Sequence, residues 1–464
     1  MSVRCRLDVW RTRLNSAHAP SDDRATAPTT PRARTARILM VDVEDEMPPL
    51  QAEVSFDDVW LILSYHHVPC AIVVLDLSAD AAANEARARA ECAKILAAHC
   101  NDPAPAPHTT PLPRISVVVP TLASNIEGLS RCIDSLAQLE YPDFEVLLID
   151  NRRALPEDDP LVALTNDQEC LRVIRESRPG ISAARNRGII ESDADLIAFT
   201  DDDVRVDRHW LRAIALRFAQ EPALDVVTGL VLPGELSSTA QIWYEKYFGG
   251  FGGVRSFRRV TVRLARRRTR RWRLGLLEEL DATTHAVRTT SLYGAGRYVA
   301  GANMAFKRSA LEQIRGFDVT LGTGTSSRGG EDLAAVISVL WGGGTIGFEP
   351  GAYVFHRHRR TYAQLLDQLD GSGIGFTAML TSLVRRDPRH LLAMLCQVPS
   401  AGARLARLSL RRARGQRIID DGSTITSNGR AYPARLISHE LIAYFQGPFA
   451  YRRSVIDAQR NQGP

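Results

Sequence analysis

The sequence predicts an α/β protein. Its core is a mainly parallel sheet flanked by helices, with a small α+β module before it and a helical region after it. Three observations carry this. Short apolar runs alternate with helical periods from residue 114 to about 360, which is the pattern of βαβ units. Several of those runs end in polar or acidic residues, as strands do at the ligand crevice of such a sheet. The chain has 464 residues, 45% hydrophobic and 24% charged, enough for two or three globular domains. A net charge of +5 is too small to imply nucleic-acid binding by itself.

The elements follow in chain order. Residues 1–36 are rich in Arg, Ala, Pro, Ser and Thr; a segment so poor in apolar groups is expected to be a disordered basic tail. Residues 37–100 read as a small α+β module of unreadable role. Its strands are expected at 38–41, 59–63 and 71–75, and an alanine-rich helix at 81–100. His66 and His67 between the last two strands read as a hairpin turn. They do not read as a metal pair, because adjacent side chains on an extended segment point to opposite faces. Residues 101–113 are a proline-rich linker. In residues 114–360 the strands are expected at 115–119, 144–149, 171–174, 196–199 and 226–232, and the helices at 127–139, 181–191 and 208–220. Residues 361–464 look helical, at 362–369 and 376–384. A basic amphipathic stretch, 391–414, then either lies on a membrane surface or packs against the preceding domain. Pro399 and Gly402 are expected to break it.

The seven cysteines (Cys5, Cys70, Cys92, Cys100, Cys132, Cys170 and Cys396) form no CxxC pair, and an odd number favours free thiols in a reducing compartment. No apolar run approaches the length of a membrane span, and the first residues lack the apolar core of a secretory leader. A cytoplasmic location is expected; peripheral contact at the cytoplasmic membrane face is one of two open readings of the basic segments 255–273 and 391–414.

The chemistry points to one place. Asp201-Asp202-Asp203 follow the apolar run 196–199 with only Thr200 between. Three carboxylates packed together either form an acidic turn in water or need a cation to neutralise them. A divalent ion such as Mg2+ or Mn2+, which prefers oxygen ligands, is the natural one.

An ordered set of motifs carries a resemblance. Ile115-Ser116-Val117-Val118-Val119-Pro120-Thr121 resembles the opening strand of family 2 glycosyltransferases with the GT-A fold. Leu147-Leu148-Ile149-Asp150-Asn151 resembles their second strand. Gly180 through Ala184-Arg185-Asn186-Arg187-Gly188 is similar to their helix entry, and Asp201-Asp202-Asp203 falls on their DxD motif. Gly301-Ala302-Asn303, Gly316-Phe317-Asp318, Gly329-Gly330-Glu331-Asp332 and Val354-Phe355-His356-Arg357-His358 fit their second half.

The resemblance implies an inverting, metal-assisted transfer of a sugar from a nucleoside diphosphate, uridine diphosphate being the expected carrier, to a hydroxyl on a glycan, lipid-linked or cell-envelope acceptor. It implies that Asp203 binds the metal, that Asp201 and Asp202 contact the donor with Asp201 near the ribose or the metal, and that His356 completes the metal site. His358, two residues along the same strand, competes for that role. Asp150 would accept from the base, Pro120 and Thr121 would shape its pocket, and Arg185 at a helix start would face phosphate. Asp332 would be the general base and Glu331 would position the acceptor. The glycine-rich run 322–330 reads as a flexible loop.

Two departures stand out. Asn151-Arg152-Arg153 replace the smaller residues common in the family, which puts uracil specificity in doubt. The insert 248–292 carries an arginine run, either a solvated loop or an anion contact. Two other classes remain. A nucleotide-sugar pyrophosphorylase should carry a glycine-rich basic loop after its first strand, where Pro120-Thr121-Leu122-Ala123-Ser124 stand instead. A non-catalytic anion-binding scaffold would have no need of both acidic motifs.

Overall fold

A computed structural model describes residues 35–50, 56–99, 112–157, 159–165, 170–251, 255–265, 274–413 and 434–460. Residues 1–34 of the expected tail, nearly all of the linker and the arginine-rich residues 266–273 lie outside the described residues, while Ala36 already belongs to the first strand.

Strands β1 (Ala36–Asp42), β2 (Asp58–Tyr65) and β3 (Val68–Asp76) form a three-stranded sheet, backed by helix α1 (Ala81–His99). His66 and His67 form the β2–β3 turn, with φ of 48° and 66°. Two consecutive left-handed residues match the twist of a tight hairpin. One face of this sheet packs Val41, Leu61, Leu63 and Leu75 against Ala88 and Ile95 of α1. The other face packs Trp60 and Val74 against Leu236 and Ile242, and Lys246 pairs with buried Asp58 at 3.1 Å.

The chemistry-bearing region builds the large sheet. Its strands are β4 (Ile115–Thr121), β5 (Phe144–Asp150), β6 (Leu171–Arg175), β7 (Leu196–Phe199), β8 (Val204–Val206) and β9 (Val226–Pro233), then β10 (Val260–Leu264), β11 (Leu276–Asp281), β12 (Val287–Ser291), β13 (Met304–Lys307) and β14 (Thr345–His356). Between them run α2 (Ile126–Leu136), α3 (Pro160–Thr165), α4 (Ile181–Glu191), α5 (Trp210–Gln220), α6 (Thr239–Trp243), α7 (Arg308–Ile314) and α8 (Glu331–Trp341). The order is β12-β11-β10-β14-β9-β13-β7-β4-β5-β6, with β8 paired to the end of β14. Pairs β4–β5, β5–β6, β4–β7 and β9–β14 are parallel. This is the expected parallel sheet. Antiparallel β13 sits between β7 and β9, and β10–β12 extend the far edge as an antiparallel meander, so the whole is mixed. Strands β4, β5, β7 and β9 are buried on both faces, as their Val/Leu/Ile-rich runs require, while edge strand β6 is partly exposed. Two cores result, one on each side, centred on Phe199, Phe306 and Phe317 and on Leu129, Trp210 and Val354.

Part of the basic insert is therefore strand rather than loop. Four of its described arginines pair with carboxylates: Arg255 with Glu245, Arg258 with Asp281, Arg259 with Glu349 and Arg263 with Glu278.

Three helices close the chain: α9 (Tyr362–Arg386), α10 (Arg389–Ala413) and α11 (Ala434–Arg460). The two short helices expected at 362–384 are one helix. Its glycines do not interrupt it. They let other backbone come close, since a Cβ on Gly375 would lie 2.8 Å from Gly329 and one on Gly373 would lie 2.7 Å from Ala443 of α11. Helix α10 likewise continues through Pro399 and Gly402. Among the described residues, no helix is long and apolar enough to cross a membrane. Cys70, Cys92, Cys132, Cys170 and Cys396 are free thiols.

Candidate active site

Four parallel strands deliver their carboxyl ends to one edge. Strand β4 ends at Pro120 and Thr121, β5 at Asp150, β6 at Arg175, and β7 runs into Thr200 and the three aspartates. The last of these would diverge from the second half of the chain without β8. That short strand pairs antiparallel with the end of β14, placing Val204 opposite His356. The pairing draws Asp201, Asp203 and His356 together, with one ligand atom of each within 4.8 Å of the others.

The histidine is prepared for a ligand role. Its Nδ1 lies 3.1 Å from the Arg357 carbonyl, so it donates there and leaves the lone pair on Nε2. Nε2 faces Asp203 Oδ1 at 3.3 Å. A lone pair facing a carboxylate oxygen is repulsive unless a cation lies between them or the ring is protonated. Two carboxylates and one imidazole are also a donor set that suits Mn2+ or Mg2+. The residues present therefore fit a divalent metal. Burial pushes the pKa of Asp201 up, opposed by Arg185 and aided by Asp203. Asp202, which accepts from Thr121 Oγ1, is pushed up to about 6, chiefly by burial.

His358 does not compete. Its ring is fully buried, with Nε2 bonded to Glu245, which Arg255 also grips. Glu245 lies in a π-helical turn, Tyr244–Phe248, directly after α6. Phe251, which follows that turn, packs on the His356 ring at 4.4 Å between centroids. Nothing in the local pattern around Glu245 marks it in advance; it meets His358 across 113 residues.

The Asp150 carboxylate is clamped. Arg152 donates from Nε at 2.9 Å and Nη2 at 2.8 Å, Arg175 lies at 3.0 Å, and Asp159 holds Arg152 from the other side. Burial alone would raise its pKa, but the hydrogen bonds and charge of Arg152 outweigh it and the net direction is down. Oδ1 takes three of these contacts and Oδ2 only one.

Arg185 was expected to face phosphate. It is turned inward instead, only 1% exposed. Nη1 donates to Glu331 at 2.8 Å, and Nη2 donates to Asp201 and to the Gly301 carbonyl, each at 3.2 Å. The reason is that α4 presents this position to the core beneath the acids. Burial and the neighbouring Asp332 push the Glu331 carboxyl up, against the pull of Arg185. Glu331 and Asp332 open α8 after Gly330, whose φ of 86° suits glycine. Asp332 is half-buried. Its Oδ2 accepts from the Gly301 N–H and its Oδ1 from the Leu333 N–H, both at 2.7 Å. Arg185 thus ties the acids after β7 to those at the start of α8.

On the outer side of the α4 N-terminus, a cleft of ≈ 520 Å³ is lined by Arg153, Arg178 and Arg460 with Thr325 and Ser326 of the glycine-rich loop. None of Asp201, Asp203, His356 and Asp332 lines it.

With this geometry in view, the comparisons can be stated. The family model "Glycosyl transferase family 2" matches residues 116–315. These residues are a family 2 glycosyltransferase domain. The pre-mycofactocin glycosyltransferase of Mycobacterium tuberculosis is 28% identical over 275 residues, which cover 58% of this chain and 48% of that protein. The succinoglycan biosynthesis protein ExoW of Rhizobium meliloti is 35% identical over 104 residues, 22% of this chain and 33% of that protein. The match to the first of these spans about half of that relative's length. Among solved structures, the chain is similar to the mannosyltransferase PcManGT of Pyrobaculum calidifontis, in complex with GDP-Man and Mn2+. That likeness has 15% identity and a TM-score of 0.41, and it covers 79% of this chain and 92% of that one. The family 2 domain holds β4 through β13 and α7; Glu331, Asp332 and His356 lie beyond residue 315, in the part that completes the site.

Proposed function

We propose that the chain is an inverting glycosyltransferase that moves a sugar from a nucleoside diphosphate to a hydroxyl acceptor. The observation that carries this is the convergence of Asp201, Asp203 and His356 on one side and Asp332 on the other, joined through buried Arg185. Asp203 and His356, with Asp201, would hold a divalent metal. Bound there, it would supply Lewis-acid stabilisation of the departing diphosphate oxygens.

The other steps belong to the protein. Asp332 takes the proton of the acceptor hydroxyl. The acceptor oxygen forms its bond to the anomeric carbon as the bond from that carbon to the phosphate oxygen breaks, and the nucleoside diphosphate leaves. Attack opposite the leaving group inverts that carbon. The Gly301 and Leu333 N–H groups fix the Asp332 rotamer, which is what a positioned base needs. Glu331, pinned by Arg185, sets the position of Asp332 and the acceptor side.

Pro120, Thr121 and Asp150 form the base subsite. With Oδ1 of Asp150 saturated by its arginines, Oδ2 is left to accept one N–H from a base edge, as the N3–H of uracil supplies. Asp202 would orient Thr121 beneath the ribose. The acceptor is a glycan or lipid-linked hydroxyl compound.

The test is calorimetric titration of the full chain with UDP, GDP and dTDP, each with Mn2+ and with EDTA. Metal-dependent binding of one nucleotide by wild type, lost in Asp203→Ala, is expected. Folded protein that binds none of them would sink the reading and favour an anion-binding scaffold. Pyrophosphate release from a nucleoside triphosphate plus sugar phosphate would favour the pyrophosphorylase instead.

A further inference from the structure

Helix α10 turns polar side chains toward the protein and apolar ones toward solvent. His390 and Gln397 are buried. The Tyr293 hydroxyl lies 3.0 Å from His390 Nδ1, and Gln397 Nε2 donates to the Gly275 carbonyl at 2.6 Å. Ala393, fully buried, completes the inward row. On the outside, Leu391, Leu392, Leu395, Val398 and Leu410 are 48%, 58%, 58%, 57% and 54% exposed. At 3.6 residues per turn, positions 391, 395 and 398 form one stripe, with 392 and 410 beside it, opposite 390, 393 and 397. A surface helix of a globular protein ordinarily does the reverse. An outward row of aliphatic side chains this long marks a contact surface rather than scattered exposure.

The charge of the helix says what kind of contact. Its sequence carries Arg389, Arg404, Arg407, Arg411 and Arg412 and no Asp or Glu. Arg389 is occupied by Asp387. An apolar stripe on a helix with arginine as its only charge complements an anionic lipid surface, where aliphatic groups reach the acyl boundary and guanidinium groups meet headgroup phosphates.

We propose that α10 docks this chain, lying in the interface plane, on a bilayer that contains anionic lipid. The docking stands apart from the transfer reading; the two fail in different experiments. If both hold, docking would bring the candidate site to a lipid-linked acceptor.

The test is flotation of the full-chain protein with vesicles of phosphatidylcholine alone and of phosphatidylcholine mixed with phosphatidylglycerol. Wild type should float with the mixed vesicles, less so as salt is raised, and not with phosphatidylcholine alone. The combined variant Leu391→Ser, Leu395→Ser, Val398→Ser should lose about a hundredfold or more in vesicle partition. Its circular dichroism and thermal midpoint should not change, because all three side chains already face outward. Arg404→Glu with Arg407→Glu should lose roughly tenfold. Wild type that fails to float with the mixed vesicles, or a triple variant that floats like wild type, overturns the proposal. So does light scattering that finds a dimer dissolved by the triple variant without any flotation; the face would then join two copies of the chain.

Discussion

Two acidic clusters stand at the ends of β5 and β7, on either side of β4, and they are built on opposite principles. At the end of β5, Asp150 and Asp159 share Arg152, and Arg175 adds a second cation. That cluster is neutral within itself. At the end of β7, Asp201, Asp202 and Asp203 have one buried arginine between them, and Arg185 gives its shorter contact to Glu331. That cluster carries charge left over. The difference teaches that acid at a strand end is not by itself a metal site. The arginine count around it decides, and the surplus of negative charge beside a correctly oriented imidazole is what calls for a cation.

The largest effect should come from breaking the charged cluster. Asp203→Ala should lower sugar transfer by about a thousandfold or more and abolish Mn2+-dependent nucleotide binding, measured by calorimetry. In EDTA the same variant should be no less stable than wild type, because it relieves repulsion. A drop in its metal-free thermal midpoint would show that Asp203 is a structural acid like Asp150.

Asp332→Asn separates base chemistry from donor binding. Transfer should fall by about a hundredfold to a thousandfold, while nucleotide affinity with Mn2+ stays as in wild type. Parallel loss of both would move Asp332 from the reaction to the scaffold.

The two histidines at the end of β14 give the next contrast. His356→Ala should weaken metal-dependent nucleotide binding by about tenfold to a hundredfold. His358→Gln, which can still donate to Glu245, should leave that affinity within about twofold. If the order were reversed, the metal site would have to include His358.

The smallest effect belongs to the neutral cluster and shows as stability. Asp150→Asn should cost about 2 kcal/mol in urea unfolding at neutral pH, because Arg175 and Arg152 lose a buried partner. The folded pKa of Asp150 is lowered. Its contribution is therefore complete above the unfolded value near 3.9, and is lost as pH falls through the lower folded value. The gap between wild type and variant should begin to close below about pH 4 and vanish only below the lower folded value. A gap that stays constant down to strong acid would mean the aspartate acts by shape alone.

Much of the fold was legible because it is periodic. The run at 196–199 and the helix at 181–191 have the expected limits, and β4, β5, β6 and β9 extend theirs by one or two residues. The hairpin at His66 and His67 was legible from strand flanks. The continuous helix over Gly371, Gly373 and Gly375 was not, since each of those glycines answers to a neighbour far away in sequence. The meander β10–β12 was hidden too. Its strands are short and half-exposed, and Arg263 of β10 looks free until antiparallel β11 brings Glu278 beside it.

The sequence by itself determined which residues alternate, which acids follow a buried strand, and which motifs stand in family order. Those are local properties, set by side-chain period and by the chemistry of neighbours along the chain. Tertiary structure decided the rest: that His356 meets Asp203 while His358 turns to Glu245, that Arg185 lies beneath the acids, and that α10 faces Leu391, Leu392 and Leu395 outward. The period of a strand or helix says which side chains share a face. Only packing against distant elements chooses what that face meets.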